Sequence, residues 1–219
     1  MDQDQKKLIA AKAALDYIQG GHVVGIGTGS TVNHLIDLLP SLKDEIRAIV
    51  SSSRATTTLL EQQGFEVSML NAVGDVDVYI DGADEANKHR QLIKGGGGAL
   101  TREKILASAA RKFICIIDET KQVGMLGKFP LPIEVIPMAQ TQVARKLSRL
   151  RGHPIWRENF VTDNGNHILD VHNLQISNPV ELETRINQIP GVVTVGLFAN
   201  QPADVLIVGG DDGVRTLGI

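Results

Sequence analysis

Short apolar runs of strand length alternate with segments of helical period over roughly the first half of the chain. This alternation limits the possible folds more than any other feature. In residues 5–18 the apolar positions Leu8, Ala11, Leu15 and Ile18 step by three, four and three, a helical spacing that Gly20-Gly21 ends. Residues 22–27 form an apolar run that predicts a strand. A turn follows, then a helix with Leu35, Ile36, Leu38 and Leu39 on its apolar side, closed by Pro40. The pattern repeats with strands at 46–50, 67–70, 76–80 and 113–118 and helices at 54–63 and 100–111. Such an order predicts an α/β fold: a Rossmann-like, mostly parallel sheet with helices on both faces. Ligands in these folds bind beyond the carboxyl ends of the strands, where most of the polar and glycine-rich turns of this chain fall.

The rhythm changes at Phe129-Pro130-Leu131-Pro132, where the prolines suggest a domain boundary. Strands at 133–136, 154–157, 167–171 and 192–198 then interleave with helices at 142–150 and 179–189. The order βαββαβ predicts a smaller α+β domain of ferredoxin-like type, with two helices covering one face of an antiparallel sheet. An apolar strand at 203–208 is expected to return to the first sheet. The expected domains are therefore 1–129 with 200–219, carrying the chemistry, and an inserted 130–199.

Composition removes several classes of function. A net charge of −3 over 219 residues gives no basic field for nucleic acid. No apolar stretch approaches the ~18 residues of a membrane span, and the polar residues 1–7 predict no signal peptide. The single cysteine, Cys115, lies in an apolar run and reads as a small buried hydrophobe. It has no internal disulfide partner, so a reducing, cytoplasmic setting is expected. The six histidines show no metal-ligand spacing, and no metal or cofactor is expected.

Four constellations carry the candidate chemistry. In Gly25-Ile26-Gly27-Thr28-Gly29-Ser30-Thr31, glycines permit a tight turn and free N–H groups open a helix, a place for an anion such as phosphate. An ordinary capped turn fits equally well. A dinucleotide fingerprint fails, because its final glycine would fall on Ser30 or Val32. Asp81-Gly82-Ala83-Asp84-Glu85 ends a strand with three carboxylates, of which Asp81 and Asp84 are expected to face a ligand across the small Gly82 and Ala83. Taken by itself, the cluster reads first as an acidic helix start or loop. Lys94-Gly95-Gly96-Gly97-Gly98 joins bare backbone to one cation, which suits an oxyanion better than a linker. Thr101-Arg102-Glu103-Lys104 opens a helix, placing the Glu103 carboxylate shortly after that glycine run. Alone, Glu103 reads as compensation of a helix dipole; beside an anion site it reads as a base. Lys121 follows a strand toward the same edge, although on its own it reads first as a solvated surface lysine.

Taken together, GIGTGSTV at 25–32, SSSRAT at 51–56, DGADE at 81–85 and KGGGGALTREK at 94–104 resemble the type A ribose-5-phosphate isomerases. GKFPLPIEVIPMA at 127–139, VTDNGN at 161–166 and PGVVTVGLFA at 190–199 extend the resemblance through the small domain. The resemblance implies a cofactor-free aldose–ketose isomerase interconverting ribose 5-phosphate and ribulose 5-phosphate through an enediol. It implies Glu103 as general base, with Lys94 and the glycine loop stabilising the neighbouring oxygen. Asp81 and Asp84 would bind sugar hydroxyls and assist ring opening. Thr28, Gly29, Ser30, Thr31, Gly82, Ala83, Gly95, Gly96, Gly97 and Lys121 would line the substrate site. A homodimer is implied as well. Gly98 stands where the family often has alanine, an exchange expected to loosen the loop.

Three other functions are weighed against this one. A non-catalytic sugar-phosphate sensor would keep the glycine loops without needing Glu103, and would carry a helix-turn-helix for which this chain has too little sequence before its first strand. A coenzyme A transferase needs a glutamate nucleophile and a larger acyl-carrier site. A nicotinamide-dependent dehydrogenase lacks its fingerprint here.

Overall fold

The computed structural model describes residues 1–218. In chain order the elements are α1 (Gln3–Ala14), β1 (His22–Ile26), α2 (Ser30–Leu38), β2 (Ile46–Ser51), α3 (Arg54–Gln62), α4 (Leu70–Val73), β3 (Val76–Asp81), β4 (Glu85–Ala86), β5 (Leu92–Ile93), α5 (Leu100–Ala109) and β6 (Ala110–Asp118). They continue with β7 (Leu131–Val135), α6 (Gln140–Arg149), β8 (His153–Trp156), β9 (His167–His172), α7 (Pro179–Asn187), β10 (Val192–Val195), β11 (Leu197–Phe198), β12 (Val205–Gly210) and β13 (Gly213–Gly218). The chain divides into two compact units. One holds Met1–Gly82, Arg102–Gln122 and the chain from Ala203; the other holds Ala83–Thr101 and Val123–Pro202.

The first unit is built on a six-stranded sheet of order β13-β12-β6-β3-β1-β2. All its neighbours pair parallel except β12 with β13. Side chains alternate across such a sheet. Val24, Ile26, Val78, Ile80, Ile114, Ile116, Val205 and Ile207 share one core with Ala10, Ala11 and Ala14 of α1, Val32, Leu35 and Ile36 of α2, and Leu60 of α3. The intervening Tyr79, Phe113, Cys115 and Ile117 are buried on the other face, where the Tyr79 and Phe113 rings stack at 5.2 Å. The helices begin where local chemistry stops the strands. Asp2 caps α1 in a reciprocal capping box with Gln5, and the Ser53 hydroxyl accepts from Thr56 N–H to cap α3.

In the second unit, β7-α6-β8-β9-α7-β10 forms an antiparallel sheet of order β10-β7-β9-β8. That is the ferredoxin-like arrangement the sequence predicts. Val143 and Leu147 of α6 and Ile186 of α7 pack with Ile133, Val135, Leu169 and Val171 in its core. A second sheet, β11-β5-β4, has three strands of two residues each.

Two local expectations are corrected, and one strand had none. Residues 67–70 do not form a strand: Val67 makes one bridge to Ile49, Met69 is exposed, and Leu70 already opens α4. The run 192–198 is two strands, because Gly196 passes the chain from the four-stranded sheet to the three-stranded one. Its N–H donates to Pro132 O at 2.8 Å while its carbonyl accepts from Lys94 N–H at 2.9 Å. A Cβ there would lie 2.3 Å from Lys94 O, so only glycine fits. Finally, β13 is an edge strand too exposed to leave an apolar signature.

Candidate active site

Within the first unit, the chain leaves β1 toward β2 on one side, while β3 lies on the other. The carboxyl ends of β1 and β3 therefore mark the point where the strand order reverses, the place where such sheets open a crevice. Asp81 ends β3 there and is fully buried. Its Oδ1 accepts from Thr28 N–H at 3.0 Å and from Gly82 N–H at 2.7 Å, and the Tyr79 hydroxyl donates to Oδ2. Tyr79 and Asp81, two residues apart, share a face of β3; Gly25 and Gly27 share the matching face of β1, with Gly25 in register with Tyr79. A Cβ on Gly25 would stand 2.9 Å from the Tyr79 ring, and one on Gly27 would stand 1.9 Å from Asp81 Oδ1. The first two glycines of the turn thus make room for side chains of β3.

Burial first, and then the negative charge of Asp81 and Glu103, push the Tyr79 phenol well above the ordinary tyrosine range. Tyr79 stays protonated and donates to Asp81. Glu103, in the first turn of α5, is only 3% exposed, and its charge is felt at Tyr79. The Thr28 hydroxyl faces a buried cluster, 2.8 Å from both the Ser52 and Ser53 hydroxyls; Thr56 Oγ1 donates to Gly27 O at 2.7 Å. These bonds tie the β1 turn to the start of α3. Gly29, with φ +131°, precedes α2, and Ser30 and Thr31 open that helix, Ser30 exposed and Thr31 buried. Lys121 closes the helical turn after β6, which the Asp118 side chain caps by accepting from Thr120 N–H at 3.0 Å. The neighbouring Glu119 is paired with Lys6 of α1 at 2.6 Å.

The second unit holds Ala83, Asp84, Lys94 and the glycine run. Asp84 Oδ2 accepts from Gly96 N–H at 2.8 Å. Glu85 is buried, and its two oxygens accept from Gly127 N–H at 2.8 Å and Phe129 N–H at 2.6 Å. The three acids of residues 81–85 thus each bind their own backbone donors. Among the described residues no three His, Cys, Asp or Glu side chains group to hold a metal ion. Lys94 is 2% exposed, with its ammonium 5.7 Å from the centre of the Phe198 ring.

Gly98 N–H donates to Gly95 O at 2.9 Å, making 95–98 a β-turn with Gly96 and Gly97 exposed at its tip. The Arg157 guanidinium binds Asp170 at 2.6 and 2.8 Å and donates to Gly95 O and Gly96 O at 3.1–3.3 Å. Gly98, at φ +84°, meets Phe160: a Cβ would lie 2.2 Å from its ring. This conformation and this neighbour both favour glycine at 98 in this chain.

Sequence reasoning gave no part to Tyr79, the hydroxyls of Ser52, Ser53 and Thr56, Arg157 or Glu134. Tyr79 was signalled by its period-two spacing from Asp81. Glu134 was signalled as the one acid in an apolar strand. It is fully buried and accepts from Thr162 Oγ1 at 2.9 Å, Asn164 Nδ2 at 3.1 Å, Asn166 Nδ2 at 2.8 Å and the Thr101 hydroxyl, so VTDNGN is the cradle of a carboxylate. Arg157 left no signal, because its partners lie far away in sequence.

A doubly wound sheet with a glycine turn and a hydrogen-bonded carboxylate at its reversal point has the architecture of the α/β enzymes that bind small molecules at that edge. Comparison with known proteins makes this specific. Residues 48–213 match the family model of ribose 5-phosphate isomerase A (phosphoriboisomerase A). Ribose 5-phosphate isomerase A from Neisseria gonorrhoeae is 46% identical and superposes with a TM-score of 0.97 over 99% of this chain and 97% of that one. A D-ribose-5-phosphate isomerase solved with phospho-erythronic acid is 40% identical, with a TM-score of 0.95 over the whole of both chains. The Methanocaldococcus jannaschii enzyme is 39% identical, with a TM-score of 0.93 over 98% and 99%. The chain belongs to the ribose 5-phosphate isomerase A family of enzymes.

Proposed function

We propose that this chain interconverts D-ribose 5-phosphate and D-ribulose 5-phosphate through an enediol, with Glu103 as the base. The observation that carries the proposal is Glu103 itself: a carboxylate 3% exposed, five positions after the exposed β-turn of glycines in the chain. Removing the C2 proton of the open-chain aldose sends the C–H electron pair into a C1–C2 double bond and the carbonyl pair onto O1. A base shielded from water holds that proton for return to C1, and the O2 proton passes to O1, leaving the ketose. Lys94 and the turn of Gly95, Gly96 and Gly97 are assigned to the developing oxyanion. Asp81 and Asp84 accept from sugar hydroxyls and assist ring opening, beside Gly82 and Ala83. The start of α2, with Gly29, Ser30 and Thr31, and Lys121 take the phosphate. Thr28, with its amide on Asp81, fixes the turn between them. The phospho-erythronic acid held by the 40%-identical relative supports a phosphorylated sugar acid or sugar as the ligand class here. The lone buried Cys115 supports a reducing, cytoplasmic setting, and the homodimer implied by the family resemblance is proposed with it.

The test is formation of ribulose 5-phosphate from ribose 5-phosphate by the purified chain with EDTA present. Rapid turnover is expected, reduced by about 10²–10⁴-fold or more in Glu103→Gln while ribose 5-phosphate still binds. Turnover by Glu103→Gln at the wild-type rate would remove Glu103 from the reaction. Tight binding without turnover in the wild type would support a sensor instead.

A further inference from the structure

We propose that Arg157 is a positioning residue for the isomerisation: by gripping the carbonyls of Gly95 and Gly96, it turns the Gly96 N–H onto Asp84 and the Gly97 N–H outward as an oxyanion donor. This rests on the reading of the glycine turn given under Proposed function. The argument starts from the peptide bond. No peptide in the described chain is cis. In a trans peptide the carbonyl of one residue and the N–H of the next point in opposite directions. Arg157 Nη1 is 3.3 Å from Gly95 O and 3.1 Å from Gly96 O, and Nη2 is 3.3 Å from Gly95 O. The N–H of Gly96 must therefore point away from the guanidinium, and it does, toward Asp84 Oδ2 at 2.8 Å. By the same geometry the N–H of Gly97 points away from Arg157. Gly97 is exposed, so its N–H stands at the open tip of the turn, while that of Gly96 is held by Asp84.

Glycine alone would not hold this arrangement. Gly96 and Gly97 at the tip have the widest choice of backbone conformations, and a free run of four would sample many of them. Three fixed groups remove that freedom. Asp170 holds Arg157 by a two-point bond, both side chains being only 18% exposed. The Phe160 ring lies 5.3 Å from the guanidinium and also fills the space beside Gly98. The Gly98 N–H closes the turn onto Gly95 O. A lysine could not replace Arg157, since a point charge cannot hold a carboxylate at two points and two carbonyls together.

The experiment compares wild type with Arg157→Lys and Asp170→Asn, the latter keeping arginine while weakening its hold. Steady-state kinetics with ribose 5-phosphate are read beside affinities for phospho-erythronic acid, whose planar carboxylate imitates the enediolate oxygens, and for inorganic phosphate. In Arg157→Lys, kcat should fall by about 10–10²-fold, less than the loss of an entire oxyanion donor at its upper end. KM and phosphate affinity should change by less than about threefold, and phospho-erythronic acid affinity should fall in step with kcat/KM. Asp170→Asn should shift the same quantities in the same direction, to a smaller extent. A folded Arg157→Lys with wild-type kcat, or one losing phosphate and phospho-erythronic acid affinity equally, overturns the inference. Glu103→Gln is assayed alongside. If it is inactive while Arg157→Lys is fully active, only this inference fails; if it is fully active, the functional reading fails.

Discussion

Gly27 shows how one missing side chain can fix another. It is not in the left-handed region, so any residue could adopt its backbone conformation; what excludes a larger residue is Asp81, whose carboxylate lies where a Cβ would go. Asp81 cannot retreat without breaking its bonds from the Thr28 and Gly82 amides and the Tyr79 hydroxyl. Gly27→Ala is therefore expected to displace the carboxylate or spread β1 from β3. Overpacking of this kind costs about 1–3 kcal/mol of stability. A shift near 1 Å at a substrate-contacting group costs about 10²-fold in rate. Urea denaturation and kcat/KM for ribose 5-phosphate measure the two effects. An alanine variant with both values unchanged would show that the Asp81 position is not set from β1.

At the scale of elements, Gly98 and Phe160 act as a pair joining the glycine turn to the small domain. Gly98→Ala adds a Cβ against the ring and strains a backbone at φ +84°. The left-handed strain costs about 1 kcal/mol and the overpacking about 1–3 more. Phe160→Val would free the space while leaving the strain. The double variant is thus expected to be more stable than Gly98→Ala alone, with a coupling of at least about 1 kcal/mol in a double-mutant cycle. Additive losses would mean that the ring does not set the glycine. The same scale separates what the sequence disclosed from what it did not. The parallel strands β1, β3, β6 and β12 are largely buried, and their apolar runs announced them; β2, at the sheet edge, is buried only at Ile49 and Val50. The two-residue strands β4, β5 and β11 carry no pattern of their own, since their pairing is imposed by the chain around Gly196.

At the scale of the whole molecule, the glycines and acids of the site were legible because their spacing was local, whereas their supports were not. Tyr79, Arg157 and Glu134 act through partners brought close only by the fold. Tyr79 also couples the site to the stability of the protein, with a definite sign. Its phenol is held well above its ordinary value of 10.0, by burial first and then by the charges of Asp81 and Glu103. In the unfolded chain it titrates at about 10. Below that pH both states keep the proton and the contribution is fully present. Above it the unfolded chain loses the proton and the folded protein keeps it, so stability falls as pH rises toward the folded value. One proton of difference gives a slope of about 1.4 kcal/mol per pH unit. Lys6, raised by its bonds to Glu119 and Asp211, is lost in the same direction, but it is present in both proteins compared and cancels. Unfolding free energies from urea titrations between about pH 9 and pH 12 should therefore decline more steeply in wild type than in Tyr79→Phe, by up to that slope. The variant will start lower, because Asp81 has lost a buried donor, and the two curves should converge as pH rises. Parallel curves would mean that Tyr79 ionises in the folded protein as readily as in the unfolded chain, and that burial with Asp81 and Glu103 does not hold its proton.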